Sequence, residues 1–235
     1  MNLLFVFLTI FFFVLPGAQA GEQVSVQLLW KHQFEFAAFY AAQEQGYYRA
    51  AGLEVTLREG GPGVDAVKEV LESRADFAVG TSALVVERYL GKPVVVLATL
   101  MQHSPIALLA RRGNGVESVL DLAGKPVAVD AHDHDEIEAF LRASGIPAAQ
   151  IKLIGQSDWT LASLDQGREA AKVVYTSNEP FLILGREHEY LLLTPRSAGI
   201  DLFGNVLFSR EAFVKQHPET VRAFREATLK GLVYA

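Results

Sequence analysis

Residues 28–55 read LLWKHQFEFAAFYAAQEQGYYRAAGLEV, and the changes of period around and within them decide the fold. Just upstream, Val24, Val26 and Leu28 alternate with polar residues, and the run into Leu29 and Trp30 reads as a half-buried strand. Phe36, Phe39, Tyr40 and Tyr47 then recur at helical spacing, with Gly46 and Gly52 as stops. On that spacing Phe34, Phe36 and Phe39 are assigned to the core. Leu53, Val55 and Leu57 return to period two. Strand, helix, strand with no tight turn between them predicts a parallel pair joined by a helical crossover.

The alternation continues. Val64, Val67, Val70 and Leu71 form a second helical stripe, residues 77–79 a short strand, and Gly80-Thr81-Ser82 the entrance to a helix that runs to Gly91. Residues 94–97 are a continuous β-branched and aliphatic run, which predicts a strand buried on both faces. A second cycle starts near Leu120, with strands at 126–129, 151–154, 172–175, 190–193 and 206–208. One helix carries Ile137, Phe140 and Leu141 and stops at Gly145; another opens at Pro218 and buries Val221, Phe224, Thr228 and Leu232. The fold class is α/β, with mainly parallel sheets flanked by helices in two lobes of roughly 90 residues, within the usual range for a domain.

Composition excludes several functions. The 235 residues carry 21 Lys and Arg against 27 Asp and Glu, a formal net charge of −6, and show no basic cluster, which argues against nucleic acid as a partner. There is no cysteine, so thiol catalysis, Cys-zinc sites and iron–sulfur clusters are excluded. Residues 1–20, MNLLFVFLTIFFFVLPGAQA, hold an apolar run from Leu3 to Leu15, then Pro16-Gly17 and small residues at Ala18 and Ala20. That layout predicts a secretory signal cleaved after Ala20 and hence a periplasmic or extracytoplasmic protein. The run is too short to span a bilayer, which takes roughly 20 apolar residues.

With Trp30, Gly46-Tyr47-Tyr48 and Gly52-Leu53 in order, the opening resembles the type II periplasmic binding proteins of the nitrate/sulfonate and thiamine-pyrimidine superfamily. ADFAVGTSALV (75–85), GKPVVVLATLMQHSPIALLAR (91–111), DLAGKPVAV (121–129), YTSNEP (175–180) and PRSAGIDLFGNVLF (195–208) agree, the last two most closely with transport receptors and bacterial sensor domains. The resemblance implies a first lobe over 21–105, a second over 106–195, and a return to the first over 196–235. It places hinge crossings near 100–110 and 193–203, with ligand in the cleft between the lobes. It also implies further helices beyond KGLVYA, so that the chain is truncated. The implied partner is an ABC-transporter permease or a fused signalling module. The superfamily includes the fungal thiamine-pyrimidine synthase, which uses a lysine-held pyridoxal phosphate, its own histidine and iron. In the match to that enzyme the lysine position falls on Gly80 and the histidine position on Leu84, which cannot form the Schiff base or donate the nitrogen. A binding protein without cofactor is therefore expected, with hydroxymethylpyrimidine phosphate synthesis as the alternative.

In open α/β sheets ligands sit beyond the carboxyl ends of strands, so the loops that follow strands supply the candidates. Trp30 is placed to stack on a planar heterocycle, with Gln33 beside it. Gly80, Thr81 and Ser82 offer backbone N–H groups and hydroxyls, or only a helix cap. His103 follows the fourth strand at the presumed hinge, and Asp201 lies on the return crossing. His132-Asp133-His134-Asp135 invites a metal, but no third protein ligand stands at a recognisable spacing. Asp133 or Asp135 as a helix cap, with His132 toward the cleft, is the simpler reading. Asn178 and Glu179 follow the 172–175 strand, where a carboxylate suits a ligand amine. Together these favour a flat, amine-bearing ligand such as a thiamine-pyrimidine precursor.

Overall fold

The computed structural model describes residues 21–235; the signal segment predicted over 1–20 lies outside the described residues. The first sheet has the order β2-β1-β3-β10-β4, from strands β1 (Glu22–Gln27), β2 (Leu53–Arg58), β3 (Phe77–Gly80), β4 (Val94–Thr99) and β10 (Val206–Arg210). The second has the order β7-β6-β8-β5-β9, from β5 (Ile106–Arg111), β6 (Pro126–Val129), β7 (Lys152–Gly155), β8 (Ala171–Tyr175) and β9 (Tyr190–Leu193). In each sheet three strands pair in parallel and the fourth, β10 or β5, pairs antiparallel with both neighbours. Those two are the strands entered directly from the other sheet, so their direction follows from the crossover and not from a helical connection.

Each sheet has its own core. In the first lobe α1 (Ala37–Glu44) and the C-terminal helix α8 (Pro218–Tyr234) cover one face over Phe36, Phe39, Phe77, Leu207 and Phe224. Phe224 stacks on Phe77 at 4.0 Å between ring centroids and on Tyr48 at 5.2 Å. A Cβ at Gly231 would lie 2.0 Å from the Ala38 carbonyl oxygen, so glycine is what lets α8 pack this closely on α1. The opposite face carries α3 (Ala66–Leu71), whose Asp65 cap accepts from Lys68 N–H at 3.0 Å, and α4 (Leu84–Tyr89). In the second lobe α5 (His134–Ala143) sets Ile137, Phe140 and Leu141 against β6 and β8.

Several expectations need correction. Strand β1 stops at Gln27, so Leu29 and Trp30 lie in the following bend. Gly46, in left-handed conformation at φ 71°, stops the helix as expected, but Tyr47 then lies outside α1, on the short α2 (Tyr47–Ala50). Phe34 is not core but 79% exposed, because it begins a tighter 3-10 turn before α1 that rotates it out of the stripe. The β-branched strand β4 is an edge strand with Val96 49% exposed; composition marked its propensity, but sheet position set its burial. Residues 106–111 form a strand, so the crossings are the segments 100–105 and 194–205. These run together: Leu100 N–H donates to the Asn205 carbonyl at 2.8 Å, Gly204 N–H to Met101 at 3.0 Å and Ser104 N–H to Leu202 at 2.7 Å. Two hydrogen-bonded connections between separate cores are the construction of a hinge.

Candidate functional site

The carboxyl ends of β1, β6, β7 and β8 converge on one cavity of about 300 Å³ between the sheets. The first lobe contributes the bend after β1, with Leu29, Trp30, Lys31, Gln33 and Glu35. From the second come Asp130, His132 and Asp133 after β6, Gln156 and Trp159 after β7, and Tyr175, Asn178 and Glu179 from β8 and its loop. The Trp30 and Trp159 rings touch across the cleft, with centroids 4.6 Å apart and planes tilted by 57°.

Each tryptophan is held by its own lobe. Behind Trp30, its carbonyl accepts from Gly60 N–H at 2.9 Å, and a Cβ at Gly60 would stand 2.4 Å from the Leu28 oxygen. Behind Trp159, the Lys172 ammonium, on a side chain from β8 that is 1% exposed, donates to the carbonyls of Asp158 (2.6 Å) and Thr160. The Asp158 carboxylate accepts from the Thr160 hydroxyl at 2.7 Å and from Thr160 N–H and Ser163 N–H, both at 2.8 Å, and these bonds hold its pKa well below the usual carboxylate range. Lys172 is thus a buried cation whose bonds fix the loop on both sides of an aromatic cleft residue.

The electrostatics are acidic. Burial pushes the Glu35 carboxyl up to about 7 against the lowering influence of the neighbouring Gln33 side chain, with Glu179 adding to the rise, and neither Glu35 oxygen makes a well-formed hydrogen bond. Asp133 is 4% exposed, its Oδ1 is unpartnered, and burial, reinforced by Asp130, pushes it up to about 8. It stands at the N-cap position of α5 but makes no cap bond, so the expectation that Asp133 spends its carboxylate as a cap is corrected. Leaving a buried acceptor unpaired costs about 1–3 kcal/mol. Asp130 binds the His132 ring nitrogen; that bond lowers the Asp130 pKa and raises that of His132.

Of the residues expected at the site, Trp30, Gln33, His132, Asn178 and Glu179 line this cavity together. Glu179 is partly committed: it accepts from Tyr175 N–H at 2.8 Å and from the Asn178 amide at 3.1 Å. Gly80, Thr81 and Ser82 do not line it. A Cβ at Gly80 would press on Leu84 and Phe208 at 3.1 Å, and Thr81 accepts from Ala83 N–H at 3.3 Å, as a local cap does. His103 and Asp201 bond each other at 2.9 Å in the hinge, away from the cavity. The sequence reading missed Glu35, Asp133 as a cleft group, Gln156, Trp159 and Tyr175. Trp159 and Gln156 follow a strand and were open to the same strand-end rule; Glu35 was hidden within an aromatic stripe. Among the described residues no group of three His, Cys, Asp or Glu side chains can hold a metal ion, and no helix is long and apolar enough to cross a membrane.

Two α/β lobes joined by paired crossings, with a cavity where their strands end, define the periplasmic binding protein fold. The aliphatic sulphonate-binding protein SsuA of Escherichia coli superposes with a TM-score of 0.69 at 12% identity, over 90% of this chain and 72% of that one. The chain belongs to the NMT1/THI5-like family, whose model matches residues 33–235. Among curated relatives, the riboflavin-binding protein RibY of Chloroflexus aurantiacus is 29% identical, covering 92% of this chain and 64% of its own length. The formylaminopyrimidine-binding protein of Halalkalibacterium halodurans is 26% identical, covering 91% and 66%. A Legionella pneumophila relative named 4-amino-5-hydroxymethyl-2-methylpyrimidine phosphate synthase is 23% identical, covering 91% and 69%. The chain thus spans about two thirds of the length of these relatives.

Proposed function

We propose that this chain is an extracytoplasmic small-molecule receptor that binds a thiamine-pyrimidine precursor or a similar small nitrogenous ligand by closure of its lobes. The observation that carries the reading is the cavity itself: an aromatic and an acidic group from the first lobe, Trp30 and Glu35, meet Trp159, Asp133 and Glu179 from the second. A ligand touching both walls stabilises the closed arrangement by its differential affinity, and a membrane permease or a signalling module reads that arrangement. The names of the riboflavin- and formylaminopyrimidine-binding relatives support this class. The synthase name borne by one relative favours the enzyme alternative, but Gly80 and Leu84, at the positions that the resemblance gives to the lysine and histidine of the fungal thiamine-pyrimidine synthase, are packed against Phe208 and each other and carry no nitrogen nucleophile.

Thermal denaturation with a panel of aminopyrimidines, flavins and alkanesulfonates tests the proposal. A ligand at 100 times its dissociation constant adds about 2.7 kcal/mol of stability. Stabilisation by a nitrogen heterocycle, lost in Trp30→Ala, supports the reading. Stabilisation by sulfonates alone, or release of hydroxymethylpyrimidine phosphate from added pyridoxal phosphate and iron, overturns it.

A further inference from the structure

The following rests on the cleft being the ligand site. Three buried carboxylate oxygens on residues that line the cavity have no partner, Glu35 Oε1 and Oε2 and Asp133 Oδ1, and they stand on opposite lobes. Gln156 adds an unpartnered amide oxygen to the same lining. The cationic donors nearby are otherwise engaged or exposed: Lys172 is tied to the 158 and 160 carbonyls, His132 to Asp130, and Lys31 is exposed. What remains unsatisfied in the cavity is acceptor capacity on a buried side chain, and it can be met by donors on a ligand.

We propose that Asp133 reads an amidine edge, an exocyclic amine beside a ring nitrogen on a flat heteroaromatic ligand set against the two indoles, while Glu35 accepts a further N–H from the opposite wall. One carboxyl oxygen accepts from the amine. The other shares a single proton with the ring nitrogen, carried either by the acid or by the ring. The pair needs that one proton and no other co-reactant. The imide edge of a flavin, one N–H between two carbonyls, can pair with the protonated Asp133 but turns a carbonyl toward the remaining unpartnered acceptors, Glu35 and Gln156, and is bound less tightly.

The groups facing Asp133 fit this bookkeeping. Burial raises its affinity for a proton most, Asp130, Glu136 and Glu35 add to this and His132 lowers it, leaving the carboxyl protonated up to about 8; Tyr175 from β8 stands half-buried beside the same carboxylates. At neutral pH the free site already holds the shared proton. Above that range the proton must be taken up on binding, so affinity for a weakly basic ring falls as pH rises, approaching about tenfold per pH unit.

The test is titration calorimetry with 4-amino-5-hydroxymethyl-2-methylpyrimidine and with riboflavin as probes, between pH 6 and 9, in two buffers of different ionisation enthalpy. The expected results are aminopyrimidine binding at least about tenfold tighter than riboflavin, and proton uptake that appears only above pH 8. Asp133→Leu should lose at least about tenfold in affinity. Asp133→Asn should stay within about threefold at pH 7, because a carboxamide pairs with an amine and ring nitrogen in the same two-point manner, and its affinity should no longer fall at high pH. If the leucine variant does not fold, the comparison of parent and asparagine variant decides alone. A pH-independent parent affinity, an unaffected leucine variant or preferential riboflavin binding overturns the inference while leaving the receptor reading standing. Failure of both probes to bind overturns it together with the ligand class proposed above.

Discussion

Asp133 and Glu35 place the chemistry of the cleft at odds with the stability of the fold. Both carboxyls have folded-state pKa values above their ordinary ones, at about 8 and about 7, so the folded protein binds more protons than the unfolded chain in between. Stability is then fullest below the ordinary carboxyl range and is lost as pH rises through 7 to 8. His132, whose pKa is also raised, loses its contribution in the same direction. Asp133→Asn should therefore raise the urea midpoint of the ligand-free protein at pH 8 more than at pH 5, and equal gains at both would show that Asp133 is ionised throughout. The amide substitution at Glu179 should destabilise instead. Its oxygens already accept from Tyr175 N–H and the Asn178 amide, so Glu179→Gln turns an amide donor toward one of these donors and should cost about 1–3 kcal/mol in urea unfolding without ligand. Glu179 was legible as a candidate because it follows a strand. Glu35 was not, since nothing in FEF indicates that the turn before α1 directs the phenylalanine at 34 to solvent and the carboxylate to the cleft.

At the scale of elements, two packing contacts carry more than their residue types suggest. Gly231 sits where α8 crosses α1, and the Cβ of Gly231→Ala would meet the Ala38 carbonyl oxygen at 2.0 Å. Helix propensity favours alanine by about 1 kcal/mol, but the collision forces the helices apart, and a net loss of about 1–3 kcal/mol is expected from overpacking. Chemical denaturation measures it, and a gain in stability would mean that α8 shifts freely. Lys172 is the second contact. Lys172→Met keeps the buried stem but frees the carbonyls of Asp158 and Thr160, so amide hydrogen exchange should rise in the loop 156–160 and ligand affinity should fall although Trp159 is retained. Unchanged exchange in that loop would show that the Asp158 turn holds Trp159 without the lysine.

For the whole molecule, Trp30 and Trp159 are the two tryptophans of the chain, and both stand in the cleft, one on each lobe. Their contact makes intrinsic fluorescence a reporter of the distance between the lobes. Ligand binding should change the tryptophan emission of the parent and abolish the coupled-indole signal in near-ultraviolet circular dichroism if the ring separates the indoles. Trp30→Phe and Trp159→Phe should each lose that coupled signal outright, while single-tryptophan emission still responds to ligand. A ligand that binds with no change in any of these spectra would place its site elsewhere.

The sequence by itself determined the class of the molecule. Alternating periods of two and about 3.6 along the chain specify strands and covering helices, because burial of apolar faces leaves few arrangements, and the cleft between the two lobes was implied by the family resemblance alone. It marked Trp30, Gln33, His132, Asn178 and Glu179 as strand-end residues, and these share one cavity. Only the tertiary structure decided that Gly80-Thr81-Ser82 turns into packing, that His103 and Asp201 bind each other in the hinge, and that β4 lies at an edge. It also decided that Glu35 and Asp133 end without partners on facing walls. The physical reason is that periodicity reports which face of an element is apolar, a local property. Whether a polar group is satisfied depends on what a distant strand brings to it, here across a hinge joining residues about a hundred positions apart.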